Sequence, residues 1–147
     1  MTGNKAPNGL YAARKLIQKR KKFRWSERKY KQRMLRTKEK FSPIGTAPIA
    51  RAIVLEKYQI GKRQPNHGRI PVVRVQIVKT GKIVSAWVPF DGSLKHIEPH
   101  DEVIICGIGG PMGRSLGDIP GIRYKVELLN GAHIKLIAKG KIQKPSR

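Results

Sequence analysis

The chain has 147 residues, room for one domain of usual size and an appendage but not for two full domains. Its 32 Lys and Arg against 9 Asp and Glu leave a net charge of +23, the balance of a polyanion binder. The single cysteine, Cys106, excludes an internal disulfide and a Cys-pair metal site, and no run of 18 apolar residues is present to span a membrane.

Charge is concentrated at the amino-terminal end. Residues 1–40 carry 15 Lys or Arg and only two acids, Glu27 and Glu39, a net +13. Met1 to Leu10 lacks the apolar core of a signal peptide, so a cytosolic protein is expected. Leu10 to Arg24 reads as one helix, with Leu10, Ala13, Leu16 and Ile17 recurring near helical spacing among the bases. Ser26 is a good N-cap for a second helix that holds Tyr30, Met34 and Leu35 and ends before Pro43. Both apolar faces are thin. About ten apolar side chains offset little of the entropy of ordering such an arm, which is therefore expected to be loose alone and ordered on nucleic acid. The bases Arg14, Lys15, Lys19, Arg20, Lys21, Lys22, Arg24, Arg28, Lys29, Arg33 and Arg36 are candidate phosphate contacts. Trp25, interleaved with Phe23, Tyr30 and Phe41, offers a flat ring to a base. The same rings could instead pack the arm onto the body.

From Ala50 the texture changes to short β-type runs. Ala52, Val54 and Glu56 begin an alternating strand, and Val73, Val75 and Ile77 alternate with Arg74 and Gln76 in the next. Between them lies the connection QPNHGRIP, Gln64 to Pro71, with Lys62 and Arg63 before it and Arg69 within it. Pro65 and Pro71 are expected to stiffen this path rather than extend a ladder, and Gly68 to relieve the bend. Lys79 to Lys82 turns the chain, and Ile83 to Val88 runs back as the second arm of a hairpin. Further strands are expected over Glu102 to Cys106, Ile122 to Leu129 and, after the Asn130-Gly131 turn, His133 to Ile137. About five strands at regular spacing, with no long helices between them, predict a mainly β fold. A five-stranded OB-type barrel fits the charge best, with a small sandwich as the alternative. The division expected is a basic, two-helix RNA-binding extension over 1–45, the barrel over 46–140 and a basic tail over 141–147.

Catalytic signatures fail on spacing. His96 and His100 stand four apart, but Pro99 breaks any helix that would let them share a metal. In the glycine-rich stretch from Cys106 to Gly121, a phosphate loop ending at Gly113-Arg114-Ser115 needs glycine where Ile108 stands and lysine where Arg114 stands. A dinucleotide fingerprint from Gly107 and Gly109 needs glycine at Met112. Pro120 interrupts any helix that could follow and aim its N-terminus at a phosphate. Asp91, Glu98, Asp101, Glu102 and Asp118 form no evident carboxylate pair or triad. No enzyme, cofactor, metal or small-molecule substrate is expected. The glycines suit close backbone approach to a phosphate or sugar, with Arg114 and Arg123 supplying charge.

Five segments, in order, are APNGLYAARKL (6–16), QPN (64–66), VRVQIVKTGK (73–82), VPFDGSL (88–94) and GDIPGIRYK (117–125). They resemble the universal small-subunit ribosomal protein number twelve family from the arm to the carboxyl end. FRWSERKY, Phe23 to Tyr30, is similar to the arm of its archaeal and eukaryotic members. The resemblance implies an OB barrel at the decoding centre of a cytoplasmic ribosome, with the arm threading into ribosomal RNA. It implies that Gln64, Pro65, Asn66 and His67 form one rigid finger beside the aminoacyl site and that Gly117, Asp118, Ile119, Pro120 and Gly121 form the other. The arm's bases and Trp25, with Lys62, Arg63, Arg69, Arg114 and Arg123, become ribosomal-RNA contacts. Partners implied are small-subunit rRNA, the mRNA–tRNA decoding helix indirectly, and other small-subunit proteins, with no membrane. His67 departs from the small hydroxyl residue usual in the family turn. The alternative function is a free single-strand nucleic-acid-binding OB protein.

Overall fold

The computed structural model describes residues 6–146, and the chain falls into two units, one up to Gly45 and one from Thr46 onward. The first holds three helices, α1 (Ala12–Ser26), α2 (Arg28–Met34) and α3 (Thr37–Phe41), none of which buries a residue. Two helices were expected, the second capped by Ser26. Instead Ser26 ends α1, its hydroxyl donating to the Phe23 carbonyl at 2.6 Å. The break falls at Glu27, extended at φ −69°, ψ 118°, whose carbonyl accepts the Lys31 N–H. Arg36, left-handed at φ 48°, divides the expected second helix into α2 and α3. With so thin an apolar face, no packing enforces a continuous helix across these points.

The second unit is mainly β. Strand β1 (Ile49–Gly61) pairs antiparallel with β2 (Arg69–Ile77) from Ala52 to Gly61, and on its other edge with β4 (Glu102–Gly107) over Ile49 to Ile53. Strand β2 continues to β3 (Ile83–Trp87), and β4 to β5 (Tyr124–Leu129). A short parallel pairing of Ala86 and Trp87 with Tyr124 and Lys125 joins β3 to β5, so five strands form a ring. A sixth, β6 (Ala132–His133), adds two residues to the edge of β5.

Burial follows the alternation seen in the sequence but goes further. Ala52, Val54, Val73, Val75, Ile77, Val103, Ile105, Val126 and Leu129 are fully buried. Adjacent Val72 and Val73 are both fully buried, which a one-sided strand does not produce. The start of β2 is covered on its second face by a satellite cluster of Ile70, Val72, Ile119 and Ile122, with Tyr58, Ile60, Trp87 and Ile108 against it.

Two strand expectations need correction. Pro71 lies inside β2 opposite Gln59, and its carbonyl accepts the Val88 N–H at 3.1 Å. Its missing donor falls on that same side, so the pair with Val88, just past the end of β3, keeps one bond instead of two. His133 to Ile137 is not a strand, because only Ala132 and His133 pair before α4 (Ile134–Ala138) begins. Ile134 and Ile137, three apart and both buried, face the core at helical spacing, a pattern that a short apolar run does not distinguish from a strand.

The carboxyl-terminal segment is tied down by polar groups. Buried Asp101 accepts the Glu98 N–H at 2.8 Å and an Asn130 side-chain N–H at 3.1 Å, and pairs with Lys144 Nζ at 2.8 Å. Asn130 also donates to the Pro145 carbonyl at 3.1 Å, and Lys144 reaches Glu98 at 3.0 Å. Burial acts to raise the Asp101 carboxyl. The bonds from Lys144, the Glu98 N–H and Asn130 outweigh it and hold the group below the usual carboxylate range.

Candidate nucleic-acid interface

The β1–β2 hairpin closes with the pair Gly61 and Arg69, and the Lys62 N–H donates to the Gly68 carbonyl at 2.7 Å. Five exposed residues, Arg63 to His67, form the projecting tip, and the Gln64–Pro65 peptide is cis. The left-handed residue at this bend is His67, φ 42°, next to Gly68. Histidine is among the few non-glycine residues enriched in that region, so the tip tolerates it. Deeper in the sheet, the Tyr58 hydroxyl and Ser85 Oγ are hydrogen-bonded at 2.6 Å across β1 and β3.

The second loop runs from the 3-10 turn Gly110–Met112 to Arg123. Its bend is held by the Ile119 N–H donating to the Leu116 carbonyl at 2.9 Å and by Gly121 at φ 75°. Ile119 turns inward, 4% exposed, into the cluster of Ile70, Val72 and Ile122. It acts as an anchor that lifts Asp118, Pro120 and Gly121 to the surface. At its start the loop folds onto itself: a β-carbon on Gly109 would stand 1.4 Å from the Arg114 carbonyl oxygen. Only glycine fits there, so this glycine allows the close approach of the loop's own backbone. The Ile108 N–H donates to the Arg123 carbonyl at 3.0 Å and ties the loop's two ends together.

The two loops face each other. Lys62, Arg63, Gln64, Pro65 and Asn66 form one wall of a cleft of about 390 Å³, and Ser115, Gly117, Asp118, Pro120 and Gly121 form the other. Lys62 Nζ stands 3.6 Å from Asp118 across it, with Asp118 86% exposed, a pair too solvated to hold the walls together by itself. Of the residues expected in the two fingers, seven line the cleft, while Ile119 is buried below it and His67 lies outside its lining. Ser115 was not expected. Its signal was only a hydroxyl beside Arg114 in a glycine-rich loop, and nothing in the spacing set it apart. Arg69, Arg114 and Arg123 are exposed on the flanks.

In the arm, Arg14, Lys15, Lys19, Arg20, Lys21, Lys22 and Arg24 ride on α1, Arg28, Lys29 and Arg33 on α2, and Arg36 at the break before α3. All are exposed except Lys19, which is half-buried. Tyr30 gathers several of them: the guanidiniums of Arg24 and Arg33 lie 4.5 and 6.0 Å from its ring centre, and Trp25 meets it edge-on at 5.5 Å. Arg24 also pairs with Glu27. The aromatic interleaving therefore organises cations within the arm, and Trp25 remains 45% exposed.

Nucleophile chemistry finds no support at Cys106. Burial, joined by a hydrogen bond to Glu127 at 3.4 Å, pushes its thiol up and away from the thiolate. His96 ends a 3-10 turn and His100 stands at φ 70° beyond Pro99. Among the described residues, no three of His, Cys, Asp and Glu gather as a metal site, and no helix is long and apolar enough to cross a membrane.

A family model described as Ribosomal protein S12/S23 matches residues 37–147, more than half of the chain. The match takes in both loops of the cleft and every strand of the ring, and begins at the first residue of α3.

Proposed function

The chain belongs to the ribosomal protein S12/S23 family, a structural protein of the small ribosomal subunit, and from that premise we propose that it binds small-subunit rRNA and supports decoding accuracy at the aminoacyl-tRNA site. On this reading the five-strand ring is an OB-type barrel, the arm over 1–45 is its RNA anchor, and the ribosome is cytoplasmic. Neighbouring small-subunit proteins are partners, and the mRNA–tRNA helix is met indirectly, through ribosomal RNA. The observation that carries the reading is the cleft: two loops far apart in sequence meet with amide, hydroxyl and carboxylate groups along its walls.

Pre-organisation is the physical reason this arrangement suits discrimination. Loops held by Ile119 and short backbone hydrogen bonds lose little entropy on contact, so they can favour one geometry of an RNA surface over another. Asn66 supplies both donors and an acceptor to a ribose or base edge.

The test is translation by small subunits reconstituted with Asn66→Ala. Assembly should be retained, while the ratio of near-cognate to cognate incorporation changes severalfold, about one lost hydrogen bond's worth. An unchanged ratio in fully assembled particles would refute the decoding role. A chain that sediments free of small subunits after a moderate salt wash would favour the free single-strand-binding protein instead.

A further inference from the structure

A second cavity, of about 630 Å³, opens among β3, β5 and α4 and shares no residue with the cleft. Trp87, Pro89, Val126, Ile134 and Leu136 form its apolar wall, and Lys125, Glu127, His133 and Lys135 line the rest. Phe90 stands on its rim, 44% exposed. The Phe90 backbone is left-handed, φ 68°, where a β-carbon is penalised and glycine or asparagine is the usual occupant. A large ring left half in solvent on strained backbone gains little for the fold, and such outliers point to a site. Lys135 Nζ lies 6.0 Å from the centre of that ring, and Lys125 is a second cation on the wall, paired with Glu127 at 2.8 Å.

We propose that this cavity captures an unpaired nucleotide of RNA, with the base against the Phe90 and Trp87 rings and the phosphate on Lys135. Three observations choose this occupant. The volume exceeds that of a nucleobase and lies in the range of small-ligand sites. Aromatic rings beside cations match the two faces of a nucleotide, a π surface and an anion, whereas a neutral apolar ligand leaves Lys135 unanswered. The chain's +23 already commits it to polyanions. Because none of these residues lines the cleft, failure here leaves the decoding reading standing.

The experiment uses the full-length chain carrying Trp25→Phe, so that Trp87 is the sole tryptophan, titrated with adenosine 5′-monophosphate. Saturable quenching of Trp87 is expected. Phe90→Gly should weaken it by roughly 5- to 100-fold, the loss of one stacking contact. Removing the ring also relieves the left-handed backbone, so the melting temperature should hold or rise, which separates loss of binding from loss of fold. Lys135→Gln, or adenosine without its phosphate, should weaken binding severalfold. Absence of saturable quenching, or equal quenching in Phe90→Gly, overturns the proposal. Saturable binding of an acidic apolar peptide without a nucleotide response overturns it too, and assigns the cavity to a protein neighbour.

Discussion

Replacing Asp101 with alanine should cost about 3 kcal/mol of folding stability, and the structure says where that cost arises. Its side chain is 9% exposed, and it neutralises three donors: the Glu98 N–H, the Asn130 amide and Lys144. The Glu98 N–H loses its charged acceptor, at about 1.5 to 3 kcal/mol for such a bond. Asn130 keeps the Pro145 carbonyl and Lys144 keeps Glu98, so each contributes less, about 0.5 to 1 kcal/mol. Lys144→Ala, which leaves Asp101 two hydrogen bonds, should cost only about 1 to 2 kcal/mol. The pH dependence follows from the depressed carboxyl. A folded pKa below the unfolded value means the stabilisation is fully present above the unfolded carboxylate range, about pH 4, and is lost as pH falls through the folded value. Urea unfolding of the full-length chain, followed by tryptophan emission at pH 7 and at steps below pH 4, measures both quantities. The wild type should lose its advantage over Asp101→Asn in acid. A loss under 0.5 kcal/mol for Asp101→Ala at neutral pH, or parallel acid profiles for the two proteins, would refute the account.

Other outcomes follow from the loops and the arm. Ile119→Ala should destabilise by about 2 to 4 kcal/mol in thermal melts and free the Gly117–Gly121 bend, raising amide exchange there well above that of β2. Gly109→Ala, with its β-carbon driven into the Arg114 carbonyl, should cost about 3 kcal/mol or more, whereas Gly107→Ala meets nothing closer than 4.0 Å and should cost little. If full-length protein makes six to ten phosphate contacts, its affinity for small-subunit rRNA should fall by roughly 10³ to 10⁵ between about 50 and 200 mM salt in filter binding. A chain beginning at Thr37 should keep less than about half of that salt slope, since each lost phosphate contact removes close to one unit.

Much of the second unit was legible because alternation reports one buried face: Val73, Val75 and Ile77 all turn inward as their spacing requires. What escaped was whatever depended on a second face or on distant chain. Val72 is buried in a cluster that Ile119 and Ile122, about fifty residues on, complete, and no local pattern carries that information. Pro71 reads as loop because proline lacks a donor, yet it stands just past the last β2–β3 register pair, where a single bond is forgone. The helix at Ile134 was lost to the ambiguity of short apolar runs, and Ser26 to the fact that a hydroxyl near a helix end can donate backward as readily as it can cap forward. For the cleft, the loop chemistry of Gln64 to Asn66 and Gly117 to Gly121 was visible, whereas their meeting was not. Only the antiparallel β1–β2 hairpin and the anchoring of Ile119 bring them together.

Charge is divided unequally between the two units. The arm carries +13 over forty residues, on helices that bury nothing. The cleft carries Lys62 and Arg63 against Asp118, a net of one positive charge, and its remaining walls are amide, hydroxyl, proline and glycine. A carboxylate 86% exposed is unfavourable for gripping phosphate. It is tolerable only where affinity is supplied elsewhere and the local surface works by hydrogen bonds. Phosphate contacts position a protein and carry no sequence information directly, whereas directional polar groups on a stiff support can read a ribose or base edge. On the proposed function, affinity therefore belongs to the arm and discrimination to the cleft. Adding cations to the cleft, as in Asp118→Lys, should strengthen RNA binding while degrading, not improving, the accuracy of decoding.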